Sequence, residues 1–227
     1  MILLIQNCIW DPRYYSFIVR PTRRSSHHHE KRWLPTSRHR YPYSLAASHV
    51  DMGVRRHRSD RYNSQHAHHS SNSKFQGDML KLHNHYRARH CAPPLVLSQQ
   101  LNQIAQSYAE HLAATSTFEH SGNQLGSEQL GENLFMQWIS FGRPTASGRE
   151  AMQSWYNEIG MYDFDKPKYS KETGHFTQMV WRSSRKLGVG IAYSPKGNEV
   201  YIVANYYPAG NTINPGYFEN NVLPPNC

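Results

Sequence analysis

The sequence predicts an α+β domain in which helices pack on an antiparallel sheet. Three observations predict it. Helical periodicity fills the first half of residues 75–227, strand-like runs fill the second half, and composition changes abruptly at Lys74/Phe75. Residues 1–74 carry 13 Lys+Arg against 4 Asp+Glu and hold 9 of the 15 histidines, whereas residues 75–227 carry 12 charges of each sign. The whole formal charge of +9 therefore belongs to the first segment, and the domain is neutral.

Residues 1–74 read as a disordered Arg/His-rich tail, broken by Pro12, Pro21, Pro35 and Pro42 and too poor in apolar residues to offset the cost of ordering the chain. The opening apolar run Ile2–Ile5 stops at Gln6 and Asn7, short of a secretion signal, and no run is long enough to span a bilayer. A translation start at Met52 is an alternative reading of this segment, because Gly53 would then lead a basic stretch that matches part of a myristoylation pattern. The Arg55, Arg56, Arg58 and Arg61 cluster suits an anionic lipid surface as well as plain solvent.

From Phe75 each element has its own reason. Phe75, Met79, Leu82 and Tyr86 form one helical face, and Pro93-Pro94 closes that helix. Ser98 is placed to cap a second helix with the stripe Leu101, Ile104, Ala105, Tyr108 and Leu112. The Gly-punctuated stretch 121–144 reads as loop with a short helix, and a third helix runs from Ser147 to Ile159. Phe176–Trp181, Leu187–Tyr193 and Val200–Tyr206 read as strands, the last two joined by a turn at Ser194–Asn198. Residues 208–227, rich in Gly, Pro and Asn, should wrap the surface.

Four residues carry candidate chemistry: His120, Glu132, Glu158 and His175. No local spacing rule links them. Two imidazoles and two carboxylates suit a zinc ion, and equally a general acid–base pair with Glu132 or Glu158 as base. Phe135, Trp138 and Phe141, three apart, are candidates for an apolar lip that contacts a lipid tail or sterol, with core packing as the competing reading.

Five segments then carry a resemblance. Gly174-His175-Phe176-Thr177-Gln178-Met179-Val180-Trp181-Arg182 resembles the signature of the CAP superfamily of cysteine-rich secretory, antigen five and pathogenesis-related proteins. Val203–Asn211 is similar to its second signature, His83–Arg87 to its first-helix motif, and Gly131–Leu134 with Trp155–Ile159 to its remaining landmarks. The resemblance covers 75–227 and implies an α–β–α sandwich. It implies that His120 and His175 line a cleft where several members hold zinc, with Glu132 and Glu158 beside them. Asn84 and Arg87 are expected to pair within the core, and His83, His85 and His90 are not read as a metal site.

Ala204 stands where the second signature usually has cysteine, and the domain holds only Cys91 and Cys227. With the absent leader, this resembles the cytosol-facing, Golgi-associated branch, whose properties would make the protein a self-associating, peripheral binder of anionic membranes without catalysis. The alternatives are a secreted defence- or venom-type protein, marked by a Cys91–Cys227 bridge, and a metal-assisted hydrolase. Nucleic acid is not an expected partner, since the domain is neutral and lacks a recognition motif.

Overall fold

The structure is a computed structural model that describes residues 54–145 and 147–227, with side chains from residue 72 onward. Residues 1–53, and with them the opening apolar run and the Met52 start, lie outside the described residues. The chain divides into two units, and the functional motifs all fall in the one that includes His69–Cys227.

Helix α1 spans Val54–Arg89, so it begins 21 residues ahead of the expected boundary at Phe75. No proline stands between Pro42 and Pro93, and nothing in that polar stretch forces a helix to stop. Strand β1 (Val96–Leu97) and helix α2 (Gln99–Thr115) follow, the latter capped by Ser98 as expected, its side chain accepting from the Leu101 amide. Next come the hairpin strands β2 (Gln124–Leu125) and β3 (Glu128–Gln129), then β4 (Gly131–Trp138) and helix α3 (Arg149–Asn157). A 3-10 turn over Glu158–Met161 leads toward helix α4 (Gly174–Val180). Strands β5 (Lys186–Tyr193) and β6 (Glu199–Tyr207) lie within a residue of their expected bounds, and α5 (Tyr217–Asn221) completes the fold.

The main sheet has the order β1-β5-β6-β4, with β1 parallel to β5 and the other pairs antiparallel. Side-chain alternation gives the sheet two buried faces. On one, Leu134, Ala192, Tyr201 and Val203 pack against Ala105, Ala109 and Leu112 of α2. On the other, Phe135, Val189, Ile202, Ala204 and Tyr206 meet Met79, Trp155, Phe176 and Met179 from α1, α3 and α4. This is the α–β–α sandwich. The close approach of α2 depends on two glycines: a Cβ at Gly188 would sit 2.1 Å from the Leu101 carbonyl carbon, and one at Gly190 2.3 Å from the Ala105 oxygen. Beyond short β1, the outer edge of β5 is closed by α2 side chains. Asn102 Oδ1 accepts from the Val189 amide at 2.8 Å, and Gln106 Oε1 accepts from the Ile191 amide at 3.0 Å.

Three expectations are corrected. Phe176–Trp181 is not a strand, because most of it belongs to α4; its aromatic and β-branched content is outweighed by groups that hold both ends of the helix. The 121–144 stretch contains the β2–β3 hairpin and the edge strand β4 rather than a short helix. The third helix ends at Asn157, so Glu158 opens a 3-10 turn.

The buried face of α1 also differs from the expected apolar stripe. Met79, His83 and Arg87 are its buried positions, with His90 buried just past its end, whereas Phe75, Leu82 and Tyr86 are half-buried. Each buried polar group is satisfied. Arg87 Nε donates to Pro93 O at 2.9 Å, Nη1 to Met179 O and Trp181 O at 2.9 Å, and Nη2 to Ser184 O at 3.0 Å. His83 Nδ1 donates to Met79 O at 2.8 Å, leaving Nε2 to accept from the Tyr206 hydroxyl at 2.8 Å. Asn84 brackets Leu95, donating to its carbonyl at 3.0 Å and accepting from its amide at 2.8 Å.

Burial pushes the His83 imidazole down to about 4, opposed by its bond to Met79 and reinforced by the Arg87 charge. The unfolded chain takes up this proton near pH 6.5 and the folded chain does not. The stability that neutral His83 contributes is therefore complete above 6.5 and lost as pH falls toward 4. Comparing unfolding free energies of wild type and His83→Gln between pH 7 and pH 4, we expect the wild type to lose about 3 kcal/mol more than the variant.

Candidate functional site

Each of the four candidate residues is placed by a different piece of the fold. His120 lies in the connection after α2, Glu132 near the start of β4, Glu158 at the end of α3, and His175 in the first turn of α4. Alternation along β4 sends Glu132 and Leu134 toward the α2 face and Asn133 and Phe135 toward the other. The site is thus assembled from both faces, around the free edge of the sheet.

The four side chains form two His–Glu pairs of the same design. His120 Nδ1 donates to Glu132 Oε1 at 2.9 Å, and His175 Nδ1 donates to Glu158 Oε1 at 2.6 Å. The acids are inside and the imidazoles outside: Glu132 is 7% exposed and Glu158 1%, against 64% for His120 and 26% for His175. Because each Nδ1 is committed to a carboxylate, each ring leaves its Nε2 lone pair as the atom able to coordinate.

The carboxylates are fully engaged. Glu158 Oε2 accepts from the amides of His175 at 2.9 Å and Phe176 at 3.0 Å, so it caps the helix that carries its own imidazole partner. Glu132 accepts from the Ser121 amide at 2.9 Å and the Ser121 hydroxyl at 2.5 Å. Its cross-strand partner Asn205 adds Nδ2 at 3.4 Å. Burial alone would raise the Glu132 carboxyl, but the bonds from His120 and Ser121 outweigh it and hold it below its ordinary value.

Behind His175 runs a buried polar chain. Asn133 Nδ2 donates to His175 O at 3.0 Å and to the Tyr206 hydroxyl at 3.2 Å, and that hydroxyl donates in turn to His83. Thr177 and Asn211 complete the support, with Asn211 Nδ2 donating to Gly174 O at 2.8 Å. Sequence reading placed Asn84 and Arg87 in the core but missed Ser121, Asn133 and Asn205. Their signal was position: each is a small polar residue beside, or in register with, one of the four.

Of the proposed apolar lip, Phe135 is buried in the core, Trp138 is half-buried and Phe141 is 91% exposed. A spacing of three on a strand sends Phe135 and Trp138 to opposite faces, so the three rings cannot form one surface. A groove of about 390 Å³ lies elsewhere, along α2, lined by Gln103, Ile104, Ser107, Tyr108 and Asn123; it contains none of the four residues.

Among the described residues no group of three His, Cys, Asp or Glu side chains is arranged to hold a metal ion. The donor chemistry nonetheless fits zinc at the two imidazoles. A carboxylate on Nδ1 is the support that metal-bound histidines ordinarily have, and it leaves Nε2 as ligand. Zinc bound there would take further ligands from solvent or from a bound molecule.

The fold and the site together define a sandwich domain with two His–Glu pairs at one sheet edge. Comparison with known proteins makes the assignment: residues 80–206 match the cysteine-rich secretory protein (CAP) family, and the chain belongs to it. It is 45% identical over 156 residues to the human Golgi-associated plant pathogenesis-related protein 1, an alignment that takes in 69% of this chain and 97% of that protein. It is 35% identical over 151 residues to Protein PRY2 of Saccharomyces cerevisiae, covering 66% of this chain but 41% of the yeast protein. Among solved structures, BmVAL-1 superposes with a TM-score of 0.52 at 25% identity, covering 67% of this chain and 84% of that one. The crystal structure of NaASP2 with Zn2+ superposes at 0.50 and 23% identity, over 66% and 84% of the two chains, and shares the fold.

The geometry fixes the consequence of removing one acid. In Glu158→Gln the amide nitrogen can no longer accept from His175 Nδ1, so the imidazole proton should move to Nε2. Nitrogen NMR of His175 should report that change of tautomer, with a stability loss of about 2 kcal/mol from the weakened cap.

Proposed function

We propose that this protein is a non-catalytic binding module that docks peripherally on anionic membranes and carries a ligand cleft at His120 and His175. The observation that supports binding over hydrolysis is the state of the two acids. Glu132 and Glu158 spend their oxygens on imidazoles, backbone amides and a serine hydroxyl, so neither is free to activate water. Their role is to orient His120 and His175, which would hold a divalent metal such as zinc. Such a metal would supply a Lewis-acidic centre for an anionic or carbonyl-bearing ligand.

Support for the membrane reading comes from the human relative, whose name places it at the Golgi, and from α1, whose first turns carry Arg55, Arg56, Arg58 and Arg61. No helix among the described residues is long and apolar enough to cross a membrane, so the attachment invoked is electrostatic. Exposed Phe141 is the remaining candidate for contact with lipid.

A second reading, the secreted or lumenal protein, is favoured by one specific observation. Cys91 and Cys227 are joined in a disulfide with Cα atoms 6.1 Å apart, the bridge expected of that alternative.

Two measurements test the proposal. The full chain should float with vesicles containing phosphatidylserine and not with phosphatidylcholine vesicles, and should lose that binding in high salt. Zinc titrated by calorimetry should bind the wild type and not His120→Ala or His175→Ala. Absence of flotation removes the membrane reading, and equal zinc binding by all three proteins removes the site.

A further inference from the structure

We propose that the Cys91–Cys227 disulfide is a redox-sensitive clasp on a C-terminal strap, residues 217–227: thiol reduction opens the outer half and leaves the inner half seated. The two halves are held in different ways. The inner half is part of the core. Phe218 and Val222 are buried, Phe218 packs edge-on against Trp181 with centroids 5.0 Å apart, and Asn221 accepts from the Arg182 and Ser183 amides at 3.0 and 2.9 Å.

The outer half, Leu223 to Cys227, has far less to hold it. His90 Nδ1 donates to Leu223 O at 2.6 Å, and the Asn226 amide donates to Arg89 O at 2.9 Å. Pro224 and Pro225 have no amide hydrogen to add, and no residue from 223 to 227 is fully buried. Cys91 and Asn226 both adopt left-handed backbone, at φ 49° and 64°, a conformation that non-glycine residues hold at a cost. Among the described residues, two hydrogen bonds against that backbone cost leave the disulfide as the main restraint on this segment. Both cysteines are exposed, so a small thiol can reach the bridge.

The step is ordinary exchange. A monothiol such as glutathione attacks one sulfur to form a mixed disulfide, and a second glutathione releases the pair. Cys91 and Cys227 end as thiols, carrying the two electrons and two protons that the glutathione disulfide has lost. What opens lies over His90, whose other nitrogen accepts from the Tyr156 hydroxyl at 3.0 Å and whose ring packs edge-on against Phe176, 5.3 Å between centroids. Opening therefore removes the acceptor of a buried imidazole that packs on Phe176, one residue along α4 from His175. The inference is independent of whether the cleft holds a metal or the protein meets a membrane.

The test uses the full chain purified without reductant. Alkylation in denaturant should modify one thiol, Cys8, before reduction and three after it. Hydrogen exchange should then show the Asn226 amide speeding up about tenfold or more on adding dithiothreitol, and likewise in Cys227→Ser, while Val222 and the β6 amides keep their rates. Three reactive thiols at the outset would overturn the clasp. So would equal Asn226 exchange in both redox states, and so would a uniform loss of protection that included β6.

Discussion

A buried arginine with no acid partner among the described residues is the constraint on which the rest of the fold depends. The Arg87 guanidinium is inaccessible, and burial pulls its pKa down to about 10, so it remains a cation at neutral pH. A bare charge in that position would cost several kcal/mol. It is tolerated because four backbone carbonyls converge on it from the turn after α1, the end of α4 and the turn that leads into β5. Those carbonyls need it in return. The last carbonyls of a helix have no intrahelical donor, and Met179 and Trp181 lie at that end of α4. With Glu158 on the first amides and Arg87 on the last carbonyls, a seven-residue helix is held between an anion and a cation, in the sense its dipole favours. His175 sits in that helix. Its position is a consequence of two buried charges more than of its own segment.

That dependence explains what could be read from the sequence and what could not. Helix α2 was legible because local signals agree: Ser98 caps it, and Leu101, Ala105 and Leu112 repeat on one face. Strands β5 and β6 were legible for the same reason, bounded by a turn and dense in Val, Ile and Tyr. Helix α4 was not, because Phe176, Thr177, Val180 and Trp181 favour a strand and the groups that override them come from Arg87 and Glu158, far away in sequence. Strand β4 was hidden because its first residues, Gly131, Glu132 and Asn133, read locally as loop, and two of them are polar because they bond to His120 and His175. The buried face of α1 and the turn after it were misjudged because His83, Arg87 and His90 look like surface residues until their partners are known.

The site follows the same logic. Its four residues stood out by type and local setting, and family resemblance then joined them into one site, since their separations along the chain carry no periodic signal. The structure supplies the reason for their pairing. Each carboxylate is buried and hydrogen-bonded on several sides, so it fixes one imidazole tautomer, and the two pairs reach the β4 edge from opposite faces of the sheet. The disulfide adds a different kind of constraint, tying the chain's end to the turn after α1, immediately beside Arg87 and His90. The domain is thus fastened at one corner by a buried cation, a buried imidazole and a covalent bridge.

The most direct test of this account is site-resolved hydrogen exchange in Arg87→Lys, which keeps the charge but not the fork that reaches several carbonyls. If Arg87 holds α4, the amides of residues 175–180 should lose about tenfold or more in protection while those of β5 and β6 lose much less. Loss of protection to the same degree in α4 and in the β5–β6 pair, or no loss in either, would contradict it.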